Sequence, residues 1–211
     1  MTDPARVLPE WLVERARAWA AEPGTPVEPR RAATVLILRD TPAGVEVYLL
    51  RRATTMAFAA AMHAFPGGAA EPGDADIEAT ARREVEEETG LVLGELYPWS
   101  RWITPEFEPR RYDTDFFVAR LPEGASPQYT EGGEADKVVW LRPADAVTQH
   151  AAGALAMLPP TVETLRQIMG YPDVAAVLAA AAGRDALTAI VPRAVLVEGG
   201  ARMVLPGEDG Y

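Results

Sequence analysis

Residues 83–91 read Arg83-Glu84-Val85-Glu86-Glu87-Glu88-Thr89-Gly90-Leu91, a short way after Phe65-Pro66-Gly67-Gly68. Glu84, Glu87 and Glu88 stand at i, i+3 and i+4, so a helix places all three on one face. Gly90 offers that helix its stop. Such a face is unfavourable on two counts. Like charges at this spacing repel by roughly 0.3 kcal/mol per pair. The negative end of the helix dipole costs about 0.3–1 kcal/mol for each anion near it. A hard divalent cation would reverse both penalties, because Mg²⁺ takes oxygen ligands and is held through carboxylates together with substrate phosphates. The competing reading is a solvated acidic helix end, which is what most acidic runs are.

The flanking residues decide between the two. Gly68, Arg83, Glu84, Val85, Glu87, Glu88, Gly90 and Leu91, with the preceding Phe-Pro-Gly-Gly, resemble the Nudix box. Its pattern is Gly, five residues, Glu, seven residues, then Arg-Glu-aliphatic-any-Glu-Glu-any-Gly-aliphatic. One departure stands out. The acidic residue after Gly68 is Asp74, and eight residues separate it from Arg83, so that Ala75 sits where strict spacing puts the glutamate. Both changes occur together in the branch of the family that resembles coenzyme A and acyl-CoA diphosphatases. The departure leaves Asp74 without an assigned role.

The resemblance implies a reaction in which water attacks one phosphorus of a nucleoside diphosphate linked to another group. Divalent metal, Mg²⁺ or Mn²⁺, would neutralise the diphosphate and help deprotonate the nucleophile. Glu84, Glu87 and Glu88 are then the metal ligands, with a backbone carbonyl of the Gly67-Gly68-Ala69 turn, assigned to Gly68, completing the shell. Glu84 and Glu87 are both candidates for the general base. Arg83 is expected to hold a box carboxylate in place. A further carboxylate often comes from a later loop; here Glu134 is the choice and Glu131 the reserve. Arg110, Arg111 and Tyr112, in a loop after the box, are candidates for binding substrate, since guanidinium forks match phosphate oxygens and the loop's aromatics could stack on adenine.

Upstream, Leu49-Leu50-Arg51-Arg52-Ala53 followed by Phe65-Pro66-Gly67-Gly68 matches the register of a CoA-recognition signature, making Arg52 a further substrate-binding candidate. Ala57, Ala61 and His63 replace an Arg, a Gly and a Val of its better-defined form. Met56-Ala57-Phe58 with Met62-His63-Ala64-Phe65 is more similar to bacterial relatives of the peroxisomal acyl-CoA diphosphatase type. The expected activity is therefore hydrolysis of CoA or acyl-CoA to 3′,5′-ADP and (acyl-)phosphopantetheine. The alternatives are an ADP-ribose or nucleoside diphosphate sugar pyrophosphatase and, in another class, a non-catalytic Nudix-fold nucleotide-binding module.

Composition sets outer bounds. The chain has 211 residues, with 48% hydrophobic and 24% charged, which describes a globular protein with room for a substantial core. A net charge of −11 argues against affinity for nucleic acid backbones. The absence of cysteine excludes disulfides and thiolate chemistry. No secretory signal is read near residues 11–21, which carry Glu14, Arg15 and Arg17, and Val174 to Gly183 is too short to span a bilayer. A cytoplasmic location is expected, with a small-molecule nucleotide as partner, no nucleic acid, no membrane, and a homodimer left open.

Periodicity predicts an amphipathic helix over 9–22, with Trp11, Leu12, Ala16 and Trp19 on its stripe. A linker follows at 24–29, then a β-hairpin over 31–38 and 45–51, and a short strand from His63 to Phe65. The box helix is predicted from about Asp76 to Gly90, with Ile77, Ala81 and Val85 as its core stripe and Thr80 on the polar side. Strands are predicted near 93–103, 113–120 and 135–141, helices at 143–151, 160–169 and 173–182, and two strands over 188–205. This order, with the resemblance, implies an α+β Nudix fold, a mixed sheet sandwiched between helices. The expected division is an N-terminal helix and linker (1–29), the catalytic domain (30–151) and a C-terminal helical and β-hairpin extension (152–211) packed on it.

Overall fold

A computed structural model describes residues 8–52, 61–128 and 135–211. Glu131, Glu134 and the Met56-Ala57-Phe58 segment lie outside these residues. The element order is α1 (Glu10–Ala21), β1 (Arg30–Thr41), β2 (Gly44–Arg52), β3 (His63–Ala64), β4 (Gly67–Ala69), α2 (Ile77–Thr89), β5 (Tyr97–Ile103), β6 (Tyr112–Arg120), β7 (Ala135–Leu141), α3 (Pro143–Ala151), α4 (Pro159–Ile168), α5 (Val174–Ala181), β8 (Ala189–Ile190), β9 (Arg193–Val197) and β10 (Gly200–Val204). The described strands form an eight-stranded mixed sheet running β3-β2-β1-β6-β5-β8, with β4 paired to β1 and β7 to β2, beside a separate β9–β10 hairpin.

The sheet is a sandwich, and alternation along β1 shows how. Leu36 and Leu38 point into a core closed by Ala146 of α3, Val162 and Leu165 of α4, and Val174 and Val177 of α5. Ala33, Val35 and Ile37 point the other way, against Ala81 and Val85 of α2. A strand buried on both faces reads as a near-continuous apolar run, as Ala32–Leu38 does with Thr34 its one polar residue. The C-terminal helices thus share the core of the sheet. Among the described residues no helix is long and apolar enough to cross a membrane.

The middle of the sheet is split. β1 and β2 pair only near their turn, from Leu38↔Val47 to Thr41↔Gly44, and then part. Into the gap come β3, paired to β2 at Leu50↔Ala64 and Arg51↔His63, and β4, paired to β1 at Ala32↔Ala69 and Thr34↔Gly67. On its opposite edge β1 runs parallel to β6, with Ala32 beside Thr114 and Arg30 beside Tyr112. The Phe-Pro-Gly-Gly segment is therefore the crossing from one side of the wedge to the other.

Three predicted elements are corrected. Residues 93–96 are not strand; Leu93 and Leu96 serve as buried apolar contacts ahead of β5. The C-terminal part contains a third short strand, β8, which joins the main sheet parallel to β5. The buried stripe of α1 is Leu12, Val13 and Ala16, rotated away from Trp19, because the helix packs on Ala201 and Met203 of β10.

Candidate active site

Helix α2 starts and stops where its end residues demand. The Asp76 carboxylate accepts a hydrogen bond from Ala79 N–H, and Gly90 closes the C-terminus in the left-handed conformation with its N–H on the Glu86 carbonyl. The buried side of α2 is Thr80, Ala81, Val85 and Thr89. Thr80 is therefore a correction, since its hydroxyl is inside the protein and donates to Asp74 at 2.8 Å. Glu84 and Glu87 sit on the opposite side with very different exposure, 15% and 59% of the side chain.

Arg83 ties this face together. Its guanidinium makes a fork with both oxygens of Asp74 (3.0 Å each), and also reaches Glu84 (3.0 Å), Glu87 (3.1 Å) and the Ala69 carbonyl (3.1 Å). Asp74, unassigned from sequence, is thus the fixed anchor of the arginine. The Arg83 fork, aided by the Glu71 N–H and the Thr80 hydroxyl, holds its carboxyl far below the usual carboxylate range. The same pairing with Asp74 raises Arg83 above its ordinary value.

The turn beside it approaches as closely as backbone can. A Cβ on Gly68 would collide with the Glu84 carboxylate, and one on Gly67, where φ is +154°, would collide with the Ala33 carbonyl oxygen. Gly67 N–H donates to Glu88 at 2.9 Å. Burial, with the negative charge of Glu88 adding to it, pushes the Tyr48 phenol up to about 12. As the side chains stand, no group of three or more His, Asp or Glu among the described residues is gathered to hold a metal ion. The donors are nonetheless all oxygens, carboxylates set against main chain, which is the chemistry a hard divalent cation takes.

A cleft of about 420 Å³ opens beside this wall. Its floor continues the even-numbered face of β1 past Leu36, where the helices stop covering it: Ala32 and Thr34, with Thr114 and Phe116 of β6. Gly67, Gly68, Ala69 and Glu84 form one wall, and Arg30, Arg52 and Tyr112 line it as well.

The structure brings together Gly68, Glu84, Arg52 and Tyr112 of the expected site residues. Arg83, Glu87 and Glu88 adjoin them through the hydrogen bonds above. Arg110 is exposed and does not line the cleft. Arg111 is placed elsewhere. Its guanidinium donates to the carbonyls of Thr104 (3.0 Å) and Val27 (2.9 Å), fastening the linker before β1 to the loop before β6. Arg30, not singled out from sequence, lines the cleft, as does His63, which the sequence places close to the site as a strand residue. Arg30 could have been found by extending the predicted strand back one residue, which puts it beside Tyr112. His63 is buried, and that burial lowers its imidazole below the ordinary value.

Comparison with known proteins agrees with this geometry. A family profile described as the NUDIX domain matches residues 28–160. A Caenorhabditis elegans protein named as a nudix hydrolase is 24% identical over 185 residues, covering 68% of this chain and 62% of that protein. A Photorhabdus laumondii Nudix hydrolase is 48% identical over 56 residues, covering 24% of this chain and 30% of the relative. The chain thus spans less than two thirds of either relative. Among solved structures, a NUDIX hydrolase from Alicyclobacillus acidocaldarius superposes with a TM-score of 0.68 at 26% identity, over 72% of this chain and 96% of that one.

Proposed function

The chain belongs to the NUDIX domain family, and from that premise we propose that it is a metal-dependent pyrophosphohydrolase of nucleoside diphosphates linked to a second group. One observation carries the reading: a single cleft is lined both by carboxylate and close main chain, at Glu84 and Gly68, and by the cationic residues Arg30 and Arg52. A diphosphate needs both, arginine for its outer oxygens and a cation held on carboxylates for its centre.

Glu84, Glu87 and Glu88, with main chain at Gly68, would hold a divalent cation. When bound, Mg²⁺ or Mn²⁺ neutralises the diphosphate and makes water a better nucleophile. The chain's own residues do the rest. Arg83, immobilised on Asp74, fixes the Glu84 carboxylate against the turn. Glu84, largely sheltered in the cleft wall, is placed to take a proton from attacking water, while the more exposed Glu87 is the second candidate. Arg52 and Arg30 orient the phosphates. Thr34 hydroxyl donates to the Pro66 carbonyl at 2.7 Å, keeping the turn closed over the floor. The catalytic unit in this reading is 30–151, flanked by the additions 1–29 and 152–211.

The favoured substrate is CoA or acyl-CoA. Support comes from the two halves of the upstream signature. Leu50-Arg51 pairs with His63-Ala64 directly before Phe65, so residues distant in sequence adjoin one edge of the cleft. The test is a panel of CoA, acyl-CoAs and ADP-ribose with Mg²⁺, with product masses read out. The expected products are 3′,5′-ADP and (acyl-)phosphopantetheine. Inert CoA together with ADP-ribose cleaved to AMP and ribose 5-phosphate moves the assignment to the sugar-nucleotide class. Binding without turnover of any member leaves a non-catalytic binding module.

A further inference from the structure

On its β6 side the cleft meets a smaller cavity, of about 180 Å³, under α1. Trp11, Trp102, Phe107 and Tyr112 are among its walls, and Tyr112, Thr114 and Phe116 line cavity and cleft alike. His63 lines the cleft and not the cavity. The scheme above gives it no part.

Its place is fixed by two distant stretches of chain. β3 pairs His63 with Arg51 of β2, its N–H donates to the Ala156 carbonyl at 2.7 Å, and a parallel bridge joins it to Met157 just before α4. In an extended chain His63 and Phe65 share a face. Phe65 meets Phe116 of the cleft floor edge to face, with 6.4 Å between ring centres. The imidazole is therefore on the floor's side of the sheet.

Only 7% of His63 is exposed. Its Nδ1 is sealed from solvent and has no hydrogen-bond partner among the described residues, whereas Nε2 is not among the sealed atoms. A buried N–H without an acceptor is rare in folded proteins, and a hydrogen on Nδ1 would be one. The ring hydrogen therefore belongs on Nε2. An imidazolium, with hydrogens on both nitrogens, is disfavoured for the same reason. Burial, with the charges of Arg51 and Lys137, also opposes the imidazolium and outweighs Ala156 and Asp136, which favour it. What the ring offers the cleft is one N–H without net charge.

We propose that His63 is a substrate-binding residue, donating from Nε2 to an oxygen of the bound diphosphate. This rests on the diphosphate reading of the cleft and adds to it a donor from β3. The seat of that donor on Ala156 and Met157 makes the C-terminal extension part of the frame of the site. Such a donor complements the arginines, because a hydrogen bond has a preferred direction and can orient an oxygen without adding charge.

The chain has two histidines, and the second is an internal control. His150 Nδ1 lies 3.1 Å from the Leu155 carbonyl oxygen, which can only accept, so that ring carries a hydrogen on Nδ1. Nitrogen NMR of the full chain labelled at histidine, at about pH 8 where an ordinary imidazole is neutral, should show one ring of each tautomer. His150→Gln should remove the Nδ1–H one. Adding Mg²⁺ and the α,β-methylene analogue of ADP, which keeps two linked phosphates that water cannot part, should move the Nε2–H signal. By calorimetry His63→Leu should bind the same analogue at least about tenfold more weakly than wild type, the scale of a lost hydrogen bond to a charged acceptor. His63→Gln, whose amide N–H can stand where Nε2–H stood, should stay within about threefold of wild type. Two Nδ1–H rings, or a His63 signal unmoved at saturation, overturn the proposal on wild-type protein alone. So does equal binding by wild type and His63→Leu, or His63→Gln binding no better than His63→Leu. An analogue that does not bind at all is a different failure: it removes the diphosphate reading of the cleft, and this inference with it.

Discussion

The two ends of the cleft are built in opposite ways. At the α2 end, the candidate site comes from one stretch of about two dozen residues, Gly67 to Gly90, and its polar groups are tied to neighbours: Arg83 to Asp74 and Glu84, Glu88 to Gly67 N–H. At the α1 end, the walls come from α1, the end of β5, the loop before β6, the start of α4 and Met203 of β10, and they are mostly apolar, with a few hydroxyls and one carboxylate, Glu108. The local, hydrogen-bonded end can be identical among proteins acting on different substrates. The composite, apolar end is free to vary, because each wall residue belongs to an element anchored elsewhere. Reaction and selectivity are in this sense encoded at different ranges along the chain.

If that division is right, the largest effects should come from the α2 end and should fall on turnover. Glu84→Gln keeps the shape but removes the charge set against Gly68, and is expected to lower kcat by at least about a hundredfold, the scale of losing a main electrostatic stabiliser. Activity should likewise vanish with chelator and return with Mg²⁺ or Mn²⁺. Full activity under chelation would remove the metal from the scheme altogether.

Next in size is the anchor. Arg83→Lys cannot span Asp74, Glu84, Glu87 and the Ala69 carbonyl at once, because an ammonium lacks the planar fork. A kcat reduced by about tenfold or more, with KM little changed, is expected in steady-state assays, as for a group that positions the catalytic carboxylate. A rise in KM alone would mean that Arg83 serves substrate binding, and the two ends would be less distinct than drawn.

At the α1 end, Val13→Ala opens space where α1 meets β10, and should cost roughly 1–3 kcal/mol in denaturant unfolding. Because the helix roofs the cavity, KM should rise while kcat stays within about twofold. A matching fall in kcat would show that α1 supports the box as well.

The pH response should be smaller. Burial depresses the His63 imidazole below its ordinary value, so below a pH of about 6.5 the unfolded chain binds a proton that the folded chain resists. The stability His63 contributes is complete above that pH and is lost as pH falls. The melting temperature of the wild-type protein should therefore drop more between about pH 7.5 and pH 5 than that of His63→Gln. Smallest of all, Glu86→Gln, exposed and away from the cleft, should leave kinetics and stability near wild type; an effect as large as at Glu84 would overturn the face assignment of α2.

Legibility from sequence followed the same division. The box helix and its stop at Gly90 are local, and periodicity with capping residues was enough to place them, while the partnership of its carboxylates with the glycine turn came from the family resemblance. The hairpin and the α+β order came from the same kind of signal. What periodicity cannot carry is pairing across distance. Arg111 is itself a phosphate-binding candidate in the sequence, but its guanidinium is engaged by two carbonyls, one of them Val27, 84 positions away. Glu108, which nothing in the sequence singles out, is buried with one carboxylate oxygen on Arg15 of α1. Asp74 seemed a spacing irregularity, and it becomes the arginine's anchor only once the turn folds back onto α2.

Ala32 pairs with Ala69 on one edge of β1 and with Thr114 on the other. The carboxylate wall and the entrance to the aromatic cavity are therefore separated by two strand spacings, each about 4.8 Å. Main-chain hydrogen bonds set that interval, and no exchange of side chains can lengthen it. On the proposed reading the cleft would act as a gauge, setting how many atoms can lie between the bond to be cut and the group held at the far end. A substrate with one more phosphate in its bridge, held at that same far end, would then present a different linkage to Glu84. For that substrate to become a good one, the chain would have to change its strand register.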